Sequence, residues 1–297
     1  MNSIFIGIDG GASKTDLLIE DEDGRELFYT QTGPSNISLS PDSAWKEILK
    51  GINIFFLQYK LDVDSLNIYA GMGLAGLENR HALKAFLRNA HNFPFKKLIV
   101  ESDAYTACLG AHLGKDGIAV IVGTGSVAVA ICKGKTYRVG GWGFLVSDEG
   151  SGAWIGLTAI KKFLYYYDGR INYSPLFDAL FKCFDERVEN IVSWSERAKS
   201  TDYAKFAKLV VEQANKSEPI ALSILFDAAN KINLLIEDLD KKIGANSLDI
   251  ALIGSIAPFL KGFISDNYKN RLINPKSPPV KGAIYMIRDS LNKGWCL

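Results

Sequence analysis

The chain has 297 residues, 47% hydrophobic and 23% charged, with a formal net charge of +1. That length favours two lobes over one core, and lysines scattered among acids exclude the basic patch that a nucleic-acid or membrane-surface protein needs. With no unbroken apolar run of about eighteen residues, no export signal, and four dispersed cysteines (Cys108, Cys132, Cys183 and Cys296), a reduced cytoplasmic protein is expected.

Residues 4–8 are a short apolar run suited to a buried strand. The segment Asp9-Gly10-Gly11-Ala12-Ser13-Lys14-Thr15 follows as a permissive loop. Residues 16–19 resume the apolar pattern, 20–24 read as a turn and 25–32 as a third strand, so the loop lies in a hairpin. Ser40 as a cap and Pro41 in the first turn predict a helix to about Tyr59, with Trp45, Ile48, Ile52, Phe55 and Phe56 at helical spacing. Strands are expected over 66–72 and 98–102, with a helix over 79–90 and another from 104.

The order then restarts. Residues 117–139 read as strand, glycine-hydroxyl turn, strand, turn and strand. Residues 148–167 read as a helix with Asp148 and Glu149 near its start, 174–242 as a mostly helical insertion, and 247–254 as an apolar strand. The repeat lies in the order of elements rather than in residue identity.

Both hairpin turns carry chemistry. Glycines leave backbone N–H groups approachable, and with Ser13, Lys14 and Thr15 beside them the first turn reads as a phosphate cradle. GxxxxGK[ST] is absent and no helix follows, so it is not a Walker loop. Gly123-Thr124-Gly125-Ser126 occupies the equivalent hairpin, and two matched turns point to a nucleotide tail gripped from both sides. Asp9 is suited to hold Mg²⁺ through water, or to form a turn with its own backbone. Asp103 ends a strand where it can cap the next helix, accept a proton from a hydroxyl attacking a γ-phosphate, or do both. Trp142, among the glycines of residues 140–143, is either a core plug or a stacking surface for a sugar. Asp148 and Glu149 either favour a helix N-terminus or accept ligand hydroxyls. Gly254-Ser255, between strand and helix, has room for adenine or ribose.

These segments resemble the sugar-kinase/actin superfamily, and more closely the BadF/BadG/BcrA/BcrD ATPase family with its N-acetylglucosamine kinases. "GIDGGASKTD" resembles the first phosphate motif, "ESDAYTACLGA" the catalytic-Asp segment, "VIVGTGSVAVAI" the second phosphate motif, and "ALIGSIAPFL" the adenosine motif. "GGWGFLVSDEGSGAWIG" is the most specific. The resemblance implies an α/β protein of two ribonuclease-H-like lobes with ATP between them. The first would cover 1–113 with a C-terminal helix (281–297) packed back on it, and the second 114–280 with the helical insertion. It makes Asp103 the general base. It gives sugar contacts to Asn36, Ser126, Val127, Gly141, Trp142, Gly143 and Asp148. It gives ATP contacts to Ser13 and Thr124; the reading of the loops adds Gly10, Gly11, Ala12, Lys14, Thr15, Gly125, Gly254 and Ser255, with Mg²⁺ at Asp9.

Three departures stand out: Ala12-Ser13 where Gly-Thr is usual, Ala75 in place of a sugar-contacting serine, and Ser217-Glu218 where a Gly-Asp turn is expected near the nucleotide. The expected activity is ATP-dependent phosphorylation of the 6-hydroxyl of N-acetylglucosamine, with no nucleic-acid or membrane partner and a homodimer allowed. The alternatives are a glucosamine or N-acetylmuramic acid kinase, an activator ATPase of a dehydratase, which would need cluster-binding cysteines, and a regulatory nucleotide-binding protein.

Overall fold

A computed structural model describes residues 2–244 and 246–292. The chain divides into two compact units. One gathers residues up to Gly117, Ala130–Thr136 and those from Asn274 onward; the other holds Ile118–Val129 and Tyr137–Ile273. In chain order the elements begin with β1 (Ser3–Gly10), β2 (Thr15–Glu20), β3 (Glu26–Thr32), α1 (Pro41–Tyr59), β4 (Asn67–Leu74), α2 (Arg80–Ala90), β5 (Phe95–Ser102) and α3 (Asp103–Ala111). Then come β6 (Gly117–Val122), β7 (Ser126–Cys132), β8 (Lys135–Gly140) and α4 (Gly152–Tyr167). The insertion supplies α5 (Pro175–Lys182), α6 (Val188–Ser195), α7 (Ser200–Ala204), α8 (Ala207–Ala214) and α9 (Pro219–Ile243). β9 (Ile250–Ile253), α10 (Ala257–Leu260), α11 (Asp266–Lys269), β10 (Leu272–Ile273) and α12 (Pro279–Asn292) follow.

The two sheets have the orders β3-β2-β1-β4-β5 and β8-β7-β6-β9-β10, which correspond strand for strand. In the first, β1 pairs antiparallel with β2 and parallel with β4, and β4 is parallel to β5. In the second, β6–β9 and β9–β10 are parallel. A hairpin followed by crossover strands is the ribonuclease-H-like, actin-like ATPase arrangement, so the duplication expected from element order is present in the topology.

Alternation along β1 explains the first unit's layers. Ile4, Ile6 and Ile8 face the core containing Ile48, Ile52 and Phe55 of α1. Phe5 faces the opposite side, with Ile284 and Ile287 of α12. A β-carbon at Gly7 or Gly71 would collide with the α12 backbone, so these glycines permit the close approach. Glu20, 1% exposed, is ion-paired with Lys281 and Arg288 of α12.

Boundaries differ from expectation at particular points. Ser40 caps α1 as expected, accepting a hydrogen bond from Ser43 N–H. Asp103 does not cap α3; Ser102 does, accepting from Tyr105 N–H at 3.2 Å. The helix expected from residue 148 begins at Gly152 with Ser151 as its cap, which leaves Asp148 and Glu149 in a loop. α9 is long and apolar enough to cross a membrane. Asp227 and Lys231 interrupt its sequence, which hides it from a search for an unbroken run. Its Ile224, Ala228, Ile232, Ile236 and Leu239 are buried in the second unit. Cys296 and residues 293–297 of the expected last helix lie outside the described residues.

Candidate active site

In the first unit the site forms at the carboxyl ends of parallel strands, where the strand-to-helix connections leave room for a ligand. Gly10, Leu74 and Ser102 are aligned across β1, β4 and β5. Gly11, Ala75 and Asp103 therefore come next, side by side. Ala75 N–H donates to Gly10 O (2.9 Å), and Ile37 N–H donates to Ala75 O (3.1 Å), which ties the Asn36 loop to the same edge. The Asn36 side-chain oxygen accepts from Ser38 N–H (2.9 Å) and Ser38 O–H (2.7 Å). That leaves the Asn36 Nδ2 group to donate to a ligand.

Asp103 Oδ1 accepts from Ala104 N–H at 2.8 Å, which fixes the carboxylate in the first turn of α3. Asp9 is pushed up to about 7, first by burial and then by the charges of Asp103 and Asp16, with Lys14 opposing. Asp16 accepts from Tyr29 O–H (2.6 Å) and Gln31 Nε2 (2.8 Å) and pairs with Lys14 Nζ (2.9 Å). Burial alone would raise Asp16, but these bonds hold it below the usual carboxylate range. The result is a concentration of negative charge around Asp9.

Between β1 and β2 the turn closes through Gly11 N–H to Lys14 O at 3.0 Å. Ala12, Ser13 and Lys14 are exposed at its tip. Thr15 and Gly10 lie deeper, at the base of the turn. Thr15 is buried, with its hydroxyl 2.7 Å from both Gly33 O and Ser35 Oγ. A β-carbon at Gly10 would strike Ser35 and Leu74, so this glycine serves packing.

The second unit's turn is held from several sides. Gly123 N–H donates to Gly125 O (2.9 Å), Gly152 N–H to Gly123 O (2.8 Å) and Ala153 N–H to Thr124 O (3.1 Å). Thr124 is exposed, and a β-carbon at Gly123 would meet open space. Ser126 is 3% exposed and donates its hydroxyl to Glu149 O at 2.7 Å. Asp148 is buried in a left-handed conformation (φ 65°). Burial pushes its carboxyl up, while backbone N–H groups of Gly143 and Ser126 pull the other way. It joins the turn to the glycine loop and does not sit at a helix N-terminus.

Gly140, Gly141 and Gly143 have φ of 72°, 73° and 105°, values that favour glycine. Val127 packs beneath Gly141, where a β-carbon would come within 2.7 Å of it. Trp142 is 69% exposed, which rules out the core plug. Gly254 (φ 108°) is exposed beside Ser255, and a β-carbon there would run into the Val122 carbonyl. Ser217 takes the left-handed position (φ 61°), and Glu218 caps α9 by accepting from Ala221 N–H at 2.6 Å. The Ser-Glu pair thus provides the turn and cap for which Gly-Asp was expected.

Residue-by-residue reading missed Asp16, which anchors Lys14, and Arg138, whose guanidinium lies 4.7 Å from the Trp142 ring centroid. The register pairing Asp16 with Gln31 was the available signal for the first. Among the described residues no three His, Cys, Asp or Glu side chains assemble a metal cage.

A model of the BadF/BadG/BcrA/BcrD ATPase family matches residues 6–285. The chain is 34% identical over 281 residues to glucosamine kinase GspK of Vibrio cholerae, covering 94% of each protein. It is 29% identical to N-acetyl-D-glucosamine kinase of Dictyostelium discoideum, over 97% of this chain and 98% of that one. A crystal structure of a candidate N-acetylglucosamine kinase from Chromobacterium violaceum is similar with a TM-score of 0.86 at 30% identity, covering 96% of this chain and 99% of that one.

Proposed function

The chain belongs to the BadF/BadG/BcrA/BcrD ATPase family, and from that premise we propose that it is an ATP-dependent amino-sugar kinase acting on the 6-hydroxyl of N-acetylglucosamine. The observation that carries the reading is Asp103, fixed just past the carboxyl end of β5 beside Gly11 and Ala75, and near enough to Asp9 for its charge to raise the Asp9 carboxyl. A carboxylate so placed serves as the base in phosphoryl transfer to an alcohol. Asp103 takes the proton of the 6-hydroxyl as its oxygen bonds to the γ-phosphorus. The bond from that phosphorus to the β–γ bridging oxygen breaks, and ADP leaves.

The other residues position the reactants. Gly11, Ala12, Ser13 and Lys14 in one turn, and Thr124 and Gly125 in the other, contact phosphates. Gly254 and Ser255 take the adenosine end. Asn36 Nδ2, Trp142 and the backbone of Val127, Gly141 and Gly143 orient the sugar. Asp148 keeps lone pairs for a sugar hydroxyl beyond the two N–H bonds it accepts. The neighbouring carboxylates of Asp9 and Asp103 suit a hydrated divalent cation, and Asp9 would hold Mg²⁺ through water. When bound, Mg²⁺ supplies charge neutralisation at the phosphoryl oxygens.

Glucosamine is the second reading, favoured by the relative at 34% identity. ADP release measured with N-acetylglucosamine, glucosamine, N-acetylmuramic acid, N-acetylmannosamine and glucose, against a no-sugar blank, tests the proposal. Stimulation by one amino sugar far above the blank is expected. Equal slow hydrolysis in every well would overturn it.

A further inference from the structure

Arg138, near the end of β8, is bound to the loop that follows it in three ways. Its Nε–H donates to Gly140 O at 3.2 Å, and its Nη2 group donates to Gly141 O. Its guanidinium also stacks on Trp142, 4.7 Å from the ring centroid. The backbone carbonyl of Arg138 in turn accepts from Lys242 Nζ at 3.0 Å, which ties the strand end to the last turn of α9. Beyond the tryptophan, Phe144 packs on Tyr203 (5.0 Å between centroids), and Tyr203 packs on Trp194 (4.7 Å). The loop is therefore pinned on both sides of Trp142.

The indole itself is 69% exposed, so packing does little to hold it. Three glycines with left-handed backbone precede and follow it, and glycine gives a loop freedom that must be removed if a ring is to be held still. The guanidinium removes it. A planar fork can meet two successive carbonyls and lie over an aromatic face at once, which a lysine ammonium cannot do. Charge-assisted hydrogen bonds of this kind are about twice as strong as neutral ones.

We infer that Arg138 is the positioning residue of the acceptor site: it sets the orientation of Trp142, and through it the binding of the amino sugar, without touching the reacting atoms. The inference rests on the proposed role of Trp142 as the sugar platform. Its signature is separation of the two substrates. Removing Arg138 loosens the sugar's platform and leaves the first unit's phosphate turn and Asp103 unchanged.

The test compares Arg138→Ala and Arg138→Lys with wild type, each made both alone and together with Trp142→Phe. Arg138→Ala is expected to raise the amino-sugar KM about tenfold, the factor that follows from losing a cation–π contact with its bonds, while the ATP KM and the melting temperature stay near wild type. Arg138→Lys is expected to restore only part of the loss, and in the Trp142→Phe background Arg138→Ala is expected to add little. A readout independent of turnover is the Trp142 emission, taken as the difference between each protein and its Trp142→Phe counterpart. Its quenching by acrylamide is expected to increase in Arg138→Ala. Equal rises in both KM values, full rescue by lysine, additive effects with Trp142→Phe, or unchanged quenching would each overturn the inference. A wild-type protein that turns over no amino sugar would overturn the acceptor role itself, while the quenching comparison separately reports whether Arg138 orients the ring.

Discussion

The carboxylate of Asp148 lies so close over Gly125 that a β-carbon on the glycine would come within 2.8 Å of Oδ2. The glycine-hydroxyl turn of the second unit and the acidic loop after the glycine segment are therefore one device. Gly125→Ala must push Asp148 off the N–H groups of Gly143 and Ser126 that hold it. Overpacking of this kind costs about 1–3 kcal/mol. Chemical denaturation is expected to show that loss, together with a raised sugar KM; an alanine variant as stable and active as wild type would separate the two loops.

Asp9 gives a pH dependence with a definite sign. Its carboxyl is raised from 3.8 to about 7 in the folded protein, so between those values the folded state holds a proton that the unfolded state has lost. This group's contribution to stability therefore falls as pH rises from about 4 to about 7, then stays level. Asp9→Asn removes that slope. The variant is expected to gain stability over wild type as pH increases, by about 2–4 kcal/mol at pH 8 on the scale of 1.36 kcal/mol per pH unit, and to lose kinase activity. Urea unfolding at pH 4.5 and pH 8 measures the first effect; an identical difference at both values would contradict it.

Asp103→Asn preserves the acceptor for Ala104 N–H and the shape of the first turn of α3, and removes only the base. kcat is expected to fall by about 10²–10⁴, with ATP affinity within a few-fold of wild type. Single-turnover kinetics and nucleotide titration separate the two effects. A variant with near wild-type kcat would remove Asp103 from the chemistry.

Glu20→Gln tests what holds α12 on the first sheet. The buried carboxylate compensates Lys281 and Arg288, and removing one partner of a buried pair costs about 3–5 kcal/mol. The variant is expected to melt well below wild type. A melting temperature within a degree or two would mean that glycine-mediated packing alone secures the helix.

Much of the architecture was legible because its signals are local. Ser40-Pro41 announces α1 by cap and fixed φ, and the unbroken apolar run of residues 4–8 announces β1 as a buried strand. Helix starts with two competing acceptors were less legible. At Asp103 the preceding Ser102 caps, and at Asp148 the chain needs four more residues to make the buried turn first. The fates of Thr15 and Ser126 were not legible, because the groups that take their hydroxyls, Gly33 and Glu149, are distant in sequence. The same holds for Arg138: an arginine in a strand carries no sign that it will curl onto the loop after it.

The most direct test of the central claim is the position of the new phosphate. After incubation with ATP, Mg²⁺ and N-acetylglucosamine or glucosamine, the product is examined by ³¹P–¹H correlation NMR. The phosphorus is expected to couple to the two protons of the C6 methylene. Coupling to the anomeric proton, or no sugar phosphate above the enzyme-free control, would contradict the account.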